Sequence, residues 1–222
     1  MMDKNAMSSN GNSNKALVLL SGGIDSATCL YWAKSKGYDT YALTINYYNR
    51  WIKEIEASRV IAREAGVQLK EIDASFIMEA FNIYGYSSPK YKSSDARWPF
   101  YIASKNLLFY SIAAHIAEYM NARWIIGGHI KEDMLFFKDA SKEYIDTLNW
   151  LFKQGFMLNE PAEIILPLAD LDKLGVVRLA LELNVPLEHT WSCHLRVDEP
   201  CGKCNGCIAR QEVFKIMGIR VR

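Results

Sequence analysis

The chain has 222 residues, 50% of them hydrophobic, with 26 Lys and Arg against 25 Asp and Glu. That length suits one domain, or one domain with a small appendage, and the apolar fraction is enough for a sizeable core. The balanced charge gives no support to a nucleic-acid or membrane role based on bulk electrostatics, and no apolar run approaches the ~20 residues that a membrane helix needs.

Residues 1–14 are polar and lack the apolar centre of a signal peptide, so they are expected to be a disordered leader, with Met2 or Met7 as alternative starts and a cytoplasmic setting. Residues 15–20, KALVLL, form a short apolar run closed by Ser21-Gly22-Gly23, the pattern of a buried parallel strand. Residues 27–36 are helical in composition, with Gly37 as the stop. A second strand is expected at 40–47, a charged helix at 53–65 and a third strand at 67–73. Residues 76–99 are rich in Tyr, Ser, Gly and Pro and have no period; a loop this long in a compact domain is expected to be functional or mobile. There follow a long amphipathic helix at 103–121, a fourth strand at 122–128 with a glycine exit, and a helix at 141–154. A fifth strand at 163–168, a helix at 172–183 capped by Asp170 or Asp172, and a last helix at 205–217 complete the pattern.

Strands and helices alternate, which predicts an α/β fold: a doubly wound parallel sheet covered on both faces. Ligands in such sheets bind beyond the carboxyl ends of the strands. Segments 21–26, 46–50 and 127–133 all leave strands at that edge.

Ser21 to Ser26 read SGGIDS and lie between the first strand and the first helix. Gly22 and Gly23 let the backbone approach an anion closely, the helix start offers free N–H groups, and Ser21 and Ser26 add hydroxyls. Asp25 is the odd element, since phosphate would repel a carboxylate; it fits if it braces the loop or helps bind Mg²⁺. No GK[ST] follows and no GxGxxG is present, so the kinase-type and dinucleotide loops are disfavoured.

Five cysteines are present. Cys29 falls inside the first helix and reads as core filler. Cys193, Cys201, Cys204 and Cys207 follow the spacing C-x7-C-x2-C-x2-C, which suits tetrahedral, structural Zn²⁺ with no open position for water. An iron–sulfur cluster and a redox pair are the alternatives, with His194 beside the cluster as a bystander.

The SGGxDS string resembles the pyrophosphate-binding signature of the N-type ATP pyrophosphatases. Together with TWSC-x7-CGxCxxC, it makes the chain resemble the 7-cyano-7-deazaguanine (preQ0) synthase family from residue 15 to residue 214. The resemblance also runs through INYYNRWIKEIEASR, IASKNLLFYSIAA, LPLADLDK and HTWSC. It implies an adenine nucleotide alpha hydrolase-like, Rossmann-like domain at 15–185 and a zinc knuckle with a C-terminal helix at 186–222. It implies ATP with Mg²⁺, adenylation of 7-carboxy-7-deazaguanine with loss of pyrophosphate, ammonia giving the amide, and a second round giving the nitrile. It also implies a homodimer. Ser21, Gly22, Gly23, Asp25 and Ser26 would cradle pyrophosphate, Lys105 and Lys173 would contact phosphate, and Asn46, Arg50 and Gly127 would line the nucleotide pocket, with Glu54 beside Arg50. Tyr84, Tyr86, Tyr91, Trp98, Phe136 and Phe137 offer rings for a planar base to stack on, although ordinary packing is the better reading for any single ring.

Three places depart from the family pattern. Lys105 stands where arginine is usual, Ala140 and Ser141 replace a cysteine and an arginine near the base pocket, and Tyr47-Tyr48 replaces tyrosine-glycine. The alternatives are a paralogue that adenylates a deazaguanine acid and joins it to another amine, such as a partner protein, and a tRNA-modifying adenylating enzyme. The second is disfavoured by the lack of a basic domain. A module without catalysis is disfavoured by the intact SGGIDS.

Overall fold

The computed structural model describes residues 13–47, 50–76, 104–158, 160–195 and 198–220. Five strands form one sheet: β1 Lys15–Leu19, β2 Asp39–Asn46, β3 Gln68–Asp73, β4 Trp124–Ile126 and β5 Glu163–Ile165. Their order is β3-β2-β1-β4-β5, and every neighbouring pair is parallel. The helices are α1 Ile24–Ser35, α2 Ile52–Glu64, α3 Lys105–Met120, α4 Lys131–Phe136, α5 Lys142–Gly155, α6 Lys173–Glu182 and α7 Asn205–Ile216.

The pleat sends alternate residues of β1 to opposite faces. Ala16, Val18 and Leu20 join Ile24, Leu30, Ile61, Ala62, Val176 and Val177, so α1, α2 and α6 cover one face. Leu17 meets Leu43, Tyr110, Ala113, Ile125, Ile145 and Leu148, so α3 and α5 cover the other. Val213 and Phe214 of α7 enter the first cluster, which ties the C-terminal helix to the core of the sheet. From β1 the chain steps outward to β2 and β3, then resumes on the other side with β4 and β5. The sheet is therefore doubly wound, with its switch point between β1 and β4, where such folds open a ligand crevice.

Several elements differ from the sequence expectation. Helix α1 starts at Ile24 rather than at Ala27, because Ile24 is buried against the core and pulls the loop's last residues into the first turn. Strands β4 and β5 are three residues each. Helix α4 has no counterpart in the predicted pattern. Its apolar residues Leu135 and Phe136 are 74% and 78% exposed, so no buried stripe marks it. The backbone N–H of Ile130 donates to the Asp133 carboxylate at 3.2 Å, which fixes the start of α4. Of the expected leader, residues 1–12 lie outside the described residues, while the Asn14 side chain donates to Gly37 O at 2.8 Å.

Candidate active site

The loop after β1 is held from inside and from behind. Ser26 Oγ donates to Gly23 O at 3.1 Å and accepts from Ser21 N at 3.1 Å, and the two hydroxyl oxygens lie 3.0 Å apart. Gly22 has φ +93°, and a methyl group there would meet Glu54 O at 2.4 Å. Only glycine fits both restrictions. Gly22→Ala is expected to cost about 2–4 kcal/mol, combining left-handed strain with overpacking. A chemical denaturation midpoint equal to the parent's would contradict this. The N–H groups of Ile24, Asp25 and Ser26 open helix α1, where no earlier turn supplies acceptors.

Asp25 finds its partner far along the chain. Lys173 Nζ, at the start of α6, donates to both carboxylate oxygens at 2.7 and 2.8 Å. Burial raises the Asp25 pKa, Lys173 opposes it, and Asp133 and Glu132 add to the rise. Asp172 caps α6 by accepting from Gly175 N at 2.7 Å, which fixes Lys173 next to it. The pair brings an ammonium to the glycine turn after β1.

Arg50 works as a clamp. Its guanidinium donates to Thr44 Oγ1 at 2.5 Å, Asn46 Oδ1 at 2.9 Å, Ile45 O at 3.1 Å and Ser21 O at 2.7 Å. These bonds sew the carboxyl ends of β1 and β2 together. Arg50 and Asn46 thus stand at the predicted edge, with the Arg50 fork directed at protein acceptors. Gly127 follows β4, and its carbonyl accepts from the Cys29 thiol at 3.5 Å behind the loop.

Lys105 opens α3. The residue is solvent-exposed, and its ammonium lies beside the Tyr47 and Phe109 rings. Burial lowers its pKa, and Glu54 opposes that. Nζ lies 5.8 Å from the Tyr47 ring and 5.6 Å from the Phe109 ring. Asn106 Nδ2 donates to Asp139 O at 3.1 Å, which anchors the helix start.

The four clustered cysteines converge. All four sulfur atoms lie within 4.8 Å of one another, with Cys201 to Cys207 at 3.9 Å and Cys204 to Cys193 at 4.0 Å. A tetrahedral ion with metal–sulfur bonds of about 2.3 Å needs sulfurs roughly 3.8 Å apart, so the donor set fits one metal ion. The backbone N–H groups of His194 and Cys204 donate to Cys204 Sγ and Cys201 Sγ, each at 3.4 Å, which stabilises thiolates.

A family model described as "Queuosine biosynthesis protein QueC" matches residues 15–218. The chain belongs to the QueC family. A protein of Campylobacter hominis named 7-cyano-7-deazaguanine synthase is 36% identical over 208 residues, covering 90% of this chain and 94% of its own. One of the same name from Campylobacter jejuni is 37% identical over 216 residues, covering 94% and 96%. Among solved structures, NMN synthetase from Francisella tularensis is 19% identical with a TM-score of 0.55 and covers 95% of this chain and 79% of that one, a likeness of fold.

In this QueC family chain Ser21 to Ser26, Lys173 and Gly127 lie around the switch point, Asn46 and Arg50 lie beside them at the end of β2, and the four cysteines form a separate cluster. Tyr84, Tyr86, Tyr91 and Trp98 lie outside the described residues, as do Tyr48 and residues 77–103. Phe136 and Phe137 are exposed. Sequence reasoning passed over His129, one residue beyond the glycine pair. Its ring lies 5.9 Å from that of Tyr110. Burial lowers its pKa to about 4, Lys105 adds to the fall, and Asp139 and Asp25 oppose it. The folded chain thus keeps His129 neutral where the unfolded chain, near 6.5, takes a proton. Stability contributed at neutral pH is lost as pH falls from about 6.5 towards 4. His129→Gln should flatten that decline, read as urea midpoints at neutral and acid pH; an unchanged decline would contradict it.

Proposed function

We propose that the chain makes a 7-deazaguanine nitrile by activating 7-carboxy-7-deazaguanine with ATP. The observation carrying this is the SGGIDS turn at the β1/β4 switch point, braced by Lys173 on Asp25, in a QueC family chain. The substrate carboxylate oxygen attacks the α-phosphorus of Mg-ATP, and pyrophosphate leaves into the helix-start amides of Ile24, Asp25 and Ser26. Those donors point where negative charge grows, so they stabilise the transition state more than the ground state. Lys173, held in place by Asp25, and Lys105 supply further positive charge. Ammonia attacks the acyl adenylate, AMP leaves, and the amide results. The amide oxygen attacks a second ATP, and loss of that oxygen on AMP leaves the nitrile. Asp25 also offers a carboxylate oxygen that would help hold the Mg²⁺ of the bound nucleotide.

The cysteine knuckle is read as a structural zinc site. Four thiolates at these separations leave room for one ion and no vacant position for water. Cytoplasmic residence and a homodimer complete the reading. Among the described residues no helix is long and apolar enough to cross a membrane.

One observation favours a second reading of the acceptor. Ala140 is buried, and the Ser141 hydroxyl caps α5 by accepting from Tyr144 N at 3.3 Å, so neither offers the cation usual there. A QueC-like paralogue that passes the acyl adenylate to an amine other than ammonia, including one on a protein, fits that change. Incubation with Mg-ATP, 7-carboxy-7-deazaguanine and ammonium separates the two by product mass. Nitrile supports the synthase, an arrested amide or a conjugate supports the paralogue, and no pyrophosphate with any deazaguanine acid defeats both.

A further inference from the structure

The segment between α6 and the first clustered cysteine touches the phosphate loop and the knuckle at once. Trp191 donates its backbone N–H to Gly22 O at 2.9 Å. Its indole Nε1–H donates to Cys193 O at 2.8 Å. One residue therefore reaches the glycine turn through its backbone and the first clustered cysteine through its side chain, and its ring packs, partly buried, against the core cluster.

Arg210 locks the other side. It lies on α7, one turn beyond Cys207. Its guanidinium donates to Leu187 O at 2.8 Å, Thr190 Oγ1 at 2.7 Å and Ser192 Oγ at 3.4 Å, and its carbon Cζ stacks 4.4 Å from the Phe214 ring. Burial lowers its pKa. Gly206 completes the fit, since a methyl there would meet Ser192 O at 2.0 Å and His194 Nε2 at 2.8 Å. The start of α7 and residues 187–193 thus lie in direct backbone contact. Among the described residues, the Trp191 N–H is the backbone donor to Gly22 O.

We propose that Trp191 and Arg210 are positioning residues that join the cysteine knuckle to the phosphate loop, so that the metal-bound fold of residues 193–207 sets the loop's shape and its affinity for nucleotide. This rests on the reading of Ser21 to Ser26 as the ATP loop. Gly22 holds a positive φ open to glycine and leaves no room for a side chain against Glu54 O on one side; the Trp191 N–H holds its carbonyl on the other. The indole bond and the Arg210 fork fix the segment that carries this N–H; loosening that segment weakens the bond to Gly22 O and lets the peptide between Gly22 and Gly23 rotate. The donors of the loop then point away from the leaving group. A misplacement of about 1 Å there costs on the order of a hundredfold in rate. A terminal staple with no further role would need only to be folded, and would not need its fold transmitted to Gly22.

The test uses the metal-loaded, full-length protein with Trp191→Phe, which removes the indole bond, and Arg210→Met, which removes the fork. Four quantities are read: metal content, melting temperature, hydrogen exchange of the amides at residues 22–26, and affinity for Mg-ATP by calorimetry. Each variant should keep its metal and melt near the parent. Loop amides should exchange faster, and the Kd for Mg-ATP should rise about tenfold. The double variant should lose less than the two single losses combined, because both residues hold one segment. Unchanged loop exchange in metal-retaining variants would overturn the proposal. Should Trp191→Phe fail to fold, Arg210→Lys carries the same measurements, since lysine keeps the charge and loses the fork. If the parent itself binds no ATP, the functional reading fails, while loop exchange, which needs no nucleotide, still decides the coupling.

Discussion

Asp25→Ala is expected to lower pyrophosphate release about a thousandfold or more while the melting temperature stays near that of the parent. Two physical effects combine. The substitution strips the partner from Lys173, whose Nζ sits 2.7 and 2.8 Å from the two carboxylate oxygens, and it removes the candidate Mg²⁺ ligand at the head of α1. Removing one preorganised donor from a site that meets developing charge costs about 10²–10³ in rate, and losing a metal ligand adds to that. The fold tolerates the change because both side chains are 26% exposed, so the freed ammonium is hydrated rather than stranded. Lys173→Met should reproduce the kinetic loss. Ser26→Ala should cost about a hundredfold, since its hydroxyl shapes the loop through Ser21 N and Gly23 O and so sets where the loop amides point. A coupled pyrophosphate assay beside a thermal melt reads both sides of the claim. Turnover within tenfold of the parent in Asp25→Ala would remove the loop from the chemistry.

Loss of the metal is the second large effect. Cys204→Ser, or exhaustive chelation, is expected to lower the melting midpoint by roughly 10 °C or more. Binding energy at a structural four-thiolate site is folding energy, since the site does not exist in the unfolded chain. A chain of this size loses about 2–4 °C per kcal/mol, so a cost of several kcal/mol gives a shift of that order. The loss propagates because α7 brings Val213 and Phe214 into the cluster that also holds β1 and α1. Metal analysis should return about one zinc per chain and no visible iron–sulfur absorbance. A Cys204→Ser variant as stable as the parent would contradict a structural role.

Some of this was legible in the sequence. The run KALVLL followed by SGG marks a buried strand and its exit because apolar content and glycine act locally. The cysteine spacing marks a metal site because four thiolates so close in sequence have little else to do together. Local pattern could not reach contacts between distant residues. Lys173 meets Asp25 across 148 positions, and nothing in either neighbourhood names the other. Arg50 read as a pocket cation, yet it holds strand ends through four acceptors, a role decided by where β1 and β2 end in space. Helix α4 was missed because its apolar residues face outward, so the period that would announce it is absent. His129 lacked a signal of its own, since its neutral state comes from burial and from Lys105, which is 24 positions earlier. HTWSC stood out through family resemblance alone, and only the bonds of Trp191 to Gly22 and Cys193 give it a physical reason.

The most direct test follows heavy oxygen from the substrate carboxylate. The protein is supplied with Mg-ATP, ammonium and 7-carboxy-7-deazaguanine labelled with heavy oxygen in its carboxyl group. Label should appear in AMP, with pyrophosphate released in equal amount to AMP. Unlabelled AMP, or ADP and orthophosphate in place of AMP and pyrophosphate, would contradict the assignment of the turn after β1 as the grip on the leaving pyrophosphate.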